Sequence, residues 1–144
     1  MRHLSKIIAT GMLLVSIPSF AAVPVVLYKS PECGCCEEYI RYLSAKGFSV
    51  NATNIQNMDG IKKSFGSDKL ASCHTMIISG YTVEGHVPVA AIHKLLKAKP
   101  RITGISVPGM PANSPGMGPQ IKGTLKVYQI AKNQTGEPKL FSIE

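Results

Sequence analysis

The sequence is short of the features that would mark it as a nucleic-acid or membrane protein. Nowhere do five or more like charges run together. Its basic residues are scattered: Lys62 with Lys63, then Lys94, Lys97, Lys99 and Arg101, then Lys122, Lys126, Lys132 and Lys139. Aromatic residues are only 6% of the chain and do not interleave with the basic ones. A nucleic-acid surface needs such a patch, so the net charge of +8 reads instead as a solvated, mildly basic exterior. No apolar run reaches the roughly 20 residues that span a bilayer. Internal repeats, low-complexity tracts and a second domain are also lacking, and 144 residues suit one domain.

The first residues read as a leader. Arg2 and Lys6 precede an apolar run, Ile7 to Ile17, that ends at Pro18 and small residues. This is the pattern of a secretory signal peptide, residues 1–21, with Ser19 and Ala21 in the small-x-small positions and cleavage expected after Ala21. No cysteine stands at that point, which argues against a lipoprotein. The leader carries two basic residues and no acid, so the mature chain, 22–144, has a net charge of +6. No membrane attachment is expected after cleavage.

Export changes the meaning of cysteine, because thiols in an oxidising compartment tend to pair unless metal-bound or kept reduced. There are four, and three sit in "YKSPECGCCEEYIRYL": Cys33, Cys35 and Cys36. Structural disulfides are a poor fit, because Cys35 and Cys36 are adjacent and a local crosslink removes little loop entropy. Cys33 and Cys36 have the Cys-x-x-Cys spacing of a thiol–disulfide oxidoreductase, which is the competing functional reading.

The surrounding pattern places these residues. "PVVLYKS" reads as a buried strand and "CCEEYIRYLSAKG" as a helix with acids in its first turn and glycine at its end. "FSVNATNI" follows as a strand, "MDGIKKSFG" as a short helix, "HTMIISGYTVEG" as a hairpin, and "PVAAIHKLLKAKP" as a helix with Pro88 at its first position and Pro100 as its stop. This β-α-β-α-β-β-α order is that of a thioredoxin-like α/β domain, a central mixed sheet with flanking helices. "ISVPGMPANSPGMGPQIKG" reads as an irregular Pro/Gly/Met-rich loop, and "TLKVYQI" and "PKLFSIE" as a terminal strand pair.

In that fold the three clustered cysteines lie at a helix N-terminus, where the free N–H groups favour thiolate. Cys73, in "LASCHTMII", precedes the third strand and returns to face them. Four gathered sulfurs suit a soft metal. Three donors from a single turn crowd one tetrahedral zinc ion, whereas copper(I) accepts two or three sulfurs and a thiolate can bridge two ions. The expected ligands are therefore Cys33, Cys35, Cys36 and Cys73, and the expected ion is Cu(I), in a polynuclear cluster. Met110 and Met117 read either as soft ligands for copper transfer or as gap-filling hydrophobes. His74, beside Cys73, and His86, in the second hairpin turn, read either as ligands for copper(II) or residues that tune the site, or as a strand-entry and a turn residue; His93 reads as surface and Met76 as core.

Three blocks, "YKSPECGCCEEYIRYL", "LASCHTMIISGYTVEGHVP" and "GISVPGMPANSPGM", make the chain resemble the exported DUF411 family, which includes CopG-type copper-resistance proteins. The resemblance runs from about Val25 to Tyr128. It implies a thioredoxin-like fold, a periplasmic role in copper handling, Cys33, Cys35, Cys36 and Cys73 as copper ligands, and oxidoreductase chemistry between Cu(I) and Cu(II). Periplasmic copper efflux or storage proteins are the partners such a role calls for.

Overall fold

In the computed structural model, residues 21–133 and 135–144 are described. The leader expected at 1–21 lies, apart from Ala21, outside the described residues. No helix among the described residues is long and apolar enough to cross a membrane.

The chain runs β1 (Val23–Lys29), α1 (Gly34–Ala45), β2 (Phe48–Asn54), α2 (Met58–Ser64), a 3-10 turn (Asp68–Leu70), β3 (His74–Ile78), β4 (Tyr81–Glu84) and α3 (Val89–Ala98). It then adds β5 (Gly104–Ser106), β6 (Lys126–Ile130) and β7 (Leu140–Ile143). The first seven helices and strands follow the expected β-α-β-α-β-β-α order. Seven strands form one mixed sheet in the order β2-β1-β3-β4-β5-β6-β7. β1 and β2 are parallel, joined through α1, as a helical crossover requires. β1 pairs antiparallel with β3, and β3 with β4.

Strand alternation sends the two sets of side chains to different layers. Leu27, Met76, Ile78, Val83 and Ile105 form a core with Tyr39 and Leu43 of α1 and Ile92 and Leu95 of α3. Leu43 and Leu95 are fully buried, and each such leucine contributes about 1.5–3 kcal/mol relative to exposure. The opposite face meets α2 and the residues after it: Tyr28 stacks on Phe65 at 5.7 Å, and the Thr82 hydroxyl donates to the Phe65 carbonyl at 3.1 Å.

Two local expectations shift. Pro88 caps α3 from just outside its first turn, in extended conformation, so the helix starts one residue later. The segment expected to be wholly irregular after Pro100 contains β5, which bonds β4 on one side and β6 on the other and so joins the terminal pair to the main sheet. Three residues are too few to show a period. At Gly104 a Cβ would fall 1.7 Å from the Thr82 carbonyl oxygen, so only glycine lets this strand approach β4.

Candidate metal centre

Cys33 is the N-cap of α1 but makes no side-chain capping bond. Its sulfur is instead joined to Cys36 in a disulfide, leaving Cys35 and Cys73 as free thiols. Cys36 is fully buried and the other three are half-buried. Cys73 arrives from the other side of the site, immediately before β3, as the fold reading required. The four sulfurs lie within 4.8 Å of one another, with Cys33 and Cys35 at 3.6 Å. The tertiary structure thus brings together all four cysteines expected from sequence, two of them covalently paired.

It also brings in the two histidines whose role the sequence left open between metal ligand and strand or turn residue. His74 is the first residue of β3 and His86 follows the turn after β4, the positions expected, yet both are fully buried. His86 Nε2 lies 3.0 Å from Cys73 Sγ. Its Nδ1 meets the Pro115 carbonyl oxygen at 2.6 Å. A carbonyl only accepts, so Nδ1 carries the hydrogen and Nε2 presents its lone pair to the sulfur. His74 Nδ1 stands 3.3 Å from Cys73 Sγ and 3.6 Å from Cys36 Sγ, while its Nε2 is buried without a hydrogen-bond partner among the described residues. Cys73, His74 and His86 form a second group of donors within 4.8 Å of one another. Sequence offered one signal for this group: a Cys-His pair and a histidine twelve residues on, either side of a hairpin whose closure is antiparallel.

Tyr39 packs against both rings, which also meet each other edge-on at 5.0 Å. Its centroid is 4.7 Å from that of His74 and 4.9 Å from that of His86, and its hydroxyl donates to the Val87 carbonyl at 2.7 Å. The apolar surroundings set the protonation states. Burial pushes the Cys73 thiol up to about 12, with the neighbouring Cys35 adding to the rise. Burial holds His74 well below the usual imidazole range, helped by His86 and Lys62, and lowers His86 too. Both imidazoles are therefore neutral, the form that binds a metal.

Behind Cys73 and His74 lies a buried polar hub that sequence did not reveal. Lys62, read as part of the solvated basic surface, is buried on α2. Its ammonium meets the Glu84 carboxylate, itself fully buried. Glu84 also accepts from Ser67 Oγ at 2.8 Å, Thr75 Oγ1 at 2.6 Å and the Ser72 backbone N–H at 2.7 Å. Ser72 and Thr75 flank the Cys73–His74 pair, so the hub fixes the backbone that presents both donors.

The Pro/Gly/Met-rich loop covers the site. Ser72 pairs with Gly109 in an isolated bridge, and Pro115 holds His86. Gly116, at φ +81°, packs so closely on α1 that a Cβ there would lie 2.9 Å from the Tyr39 backbone nitrogen. Met110 is 57% exposed beside the Gly109 bridge, and Met117 is half-buried. His93 is exposed with its ring on Phe48, and Met76 is in the core, as expected.

The chain is similar in fold and sequence to known proteins. Two solved structures, Forms 2 and 1 of copper resistance protein copG, are each 33% identical to this chain. Each match covers 85% of this chain and 98% of theirs, with TM-scores of 0.75 and 0.74. The chain belongs to the DUF411 family of CopG-type copper-resistance proteins. The family itself is described as of unknown function, and its signature matches residues 70–117. In this DUF411 chain that span holds Cys73, His74, His86 and the covering loop, but not the cysteines of α1. No curated protein matches the chain.

Proposed function

We propose that the mature chain is an exported copper-binding protein of copper resistance, which holds Cu(I) in a thiolate cluster of Cys33, Cys35, Cys36 and Cys73 once a dithiol reductant has supplied the two electrons and two protons that open the Cys33–Cys36 bond. The observation that carries this reading is the gathering of four sulfurs within 4.8 Å at the N-terminus of α1. Soft sulfur donors in that number favour Cu(I), and bridging thiolates allow more than one ion. The copper resistance named for both structural relatives supports the choice of metal. The basic, apolar leader supports export to the periplasm, where copper efflux or storage proteins would exchange the ion. Cycling between Cu(I) and Cu(II), with one electron passed to or taken from an external redox partner at each turn, is the enzymatic extension of the same role.

Titration of the reduced mature chain with Cu(I) tests the cluster. More than one ion per chain and a lower capacity in Cys73→Ser are expected. Saturation at one ion or none, or an unchanged capacity in that variant, would overturn it.

The Cys33–Cys36 disulfide favours a second reading, a periplasmic thiol–disulfide oxidoreductase. That activity would reduce insulin in a way that needs Cys33 and Cys36 and is indifferent to Cys73.

A further inference from the structure

The cysteine cluster cannot form while Cys33 and Cys36 are bonded to each other, because a disulfide sulfur is no longer a thiolate donor. Yet the pocket keeps a complete donor set in that state. Cys73 is free, and His74 from the start of β3 and His86 from just beyond the end of β4 turn ring nitrogens onto its sulfur. We infer that Cys73, His74 and His86 form a separate site for one divalent, borderline-soft metal ion, available in the disulfide form of the protein.

Four observations carry this. The first is spacing. Metal–sulfur bonds of about 2.3 Å and metal–nitrogen bonds of about 2.0 Å in a tetrahedral site hold sulfur and nitrogen about 3.5 Å apart. The Cys73 sulfur stands 3.0 Å from His86 Nε2 and 3.3 Å from His74 Nδ1, so an ion enters by moving these atoms apart by a few tenths of an ångström.

The second is orientation. A histidine ligand commonly donates its other N–H to a carbonyl or carboxylate, which fixes the tautomer and aims the free lone pair. His86 has this arrangement already, with Nδ1 on the Pro115 carbonyl. The loop that supplies Pro115 is seated on α1 through Gly116, so the ligand is preorganised by the fold rather than by the ion.

The third is His74. Its ring is fully buried, and Nε2 has no hydrogen-bond partner among the described residues. A buried imidazole without that bond costs about 1–3 kcal/mol, a penalty that a structural core position would shed by becoming apolar. Its other nitrogen faces both Cys73 and Cys36.

The fourth is charge. One thiolate with two imidazoles suits a divalent ion, for which imidazole is a good ligand, whereas the four-thiolate set suits several monovalent soft ions. The two modes share Cys73, so the state of the Cys33–Cys36 bond selects between them. The inference rests on the copper reading through Cys73 alone.

Cobalt(II) is the probe, because it is stable beside thiols and tetrahedral sulfur–nitrogen coordination gives it visible absorption. The mature chain with its Cys33–Cys36 bond intact, verified by mass after alkylation, is titrated with cobalt(II). One equivalent and a thiolate-to-metal band are expected. His86→Gln and His74→Gln should each weaken binding at least tenfold. Cys73→Ser, its fold checked by circular dichroism, should abolish the band, and Cys35→Ser should keep it. No band in the wild-type disulfide form, or a band that survives Cys73→Ser or both folded histidine variants, would overturn the inference. A parallel Cu(I) titration of the reduced histidine variants separates the two readings. Capacity above one ion there, with cobalt binding lost, leaves the cluster standing and supports the histidine site as distinct.

Discussion

The Lys62 ammonium meets the Glu84 carboxylate at 2.5 Å, with side-chain exposures of 7% and 0%. An ion pair this deep is sustained only by further hydrogen bonds, which Ser67, Thr75 and the Ser72 N–H supply to the carboxylate. Glu84→Gln leaves a buried ammonium without its counter-charge and should cost roughly 3–5 kcal/mol. Lys62→Met should cost less, because the carboxylate keeps its other three donors. Urea unfolding of both variants measures this. A loss below about 1 kcal/mol in Glu84→Gln would show that the pair is solvated.

Thiol labelling reads the sulfur chemistry directly. Without reductant, two of the four cysteines should take up a maleimide, Cys35 and Cys73, and all four after reduction. Cys73 should react slowly near neutral pH, because burial pushes its thiol up to about 12 and only the thiolate attacks. Its rate should climb with pH throughout the range below that value. Peptide mass analysis assigns the labels, and four labels without reductant would show that the Cys33–Cys36 bond is not formed.

Gly116 couples the covering loop to the cysteine–histidine pocket. Alanine there takes on a left-handed conformation, at about 1–2 kcal/mol, and places its Cβ against the Tyr39 backbone. The loop should lift, releasing the Pro115 bond to His86. Gly116→Ala is therefore expected to lower stability by at least that amount and to weaken metal binding through His86. Unchanged denaturation and metal titration curves would mean that the loop is not seated as described.

Tyr39 separates packing from ligation. Tyr39→Phe loses the hydroxyl bond to Val87 and should cost about 1 kcal/mol while keeping the copper capacity. Tyr39→Ala removes the ring that packs on His74 and His86 and should cost roughly 3–5 kcal/mol. Thermal unfolding and Cu(I) titration of the pair of variants test this. A loss of copper capacity in Tyr39→Phe would place the hydroxyl in the site.

Local chemistry made much of the molecule legible in advance. Alternating and helical apolar periods set out β1 to α3 in order, Lys46-Gly47 and Pro100 ended their helices, and three cysteines in four positions announced the site at the start of α1. Cys73 could be assigned to the same pocket because the expected topology returns β3 alongside β1. All of these depend on neighbours in sequence or on one topological rule.

What tertiary structure alone decided depends on atoms distant in sequence. β5 exists because Gly104 allows backbone to approach Thr82, not because of any local preference. Lys62 and Glu84 look like surface and turn residues until α2 packs across the hairpin and removes water from both. His74 and His86 were placed correctly along the chain, but their ring orientations depend on Tyr39, Pro115 and Cys73. The four sulfurs could be gathered on the strength of the sequence; which two are bonded, and which nitrogens face the free thiol, follow from distances that no spacing encodes.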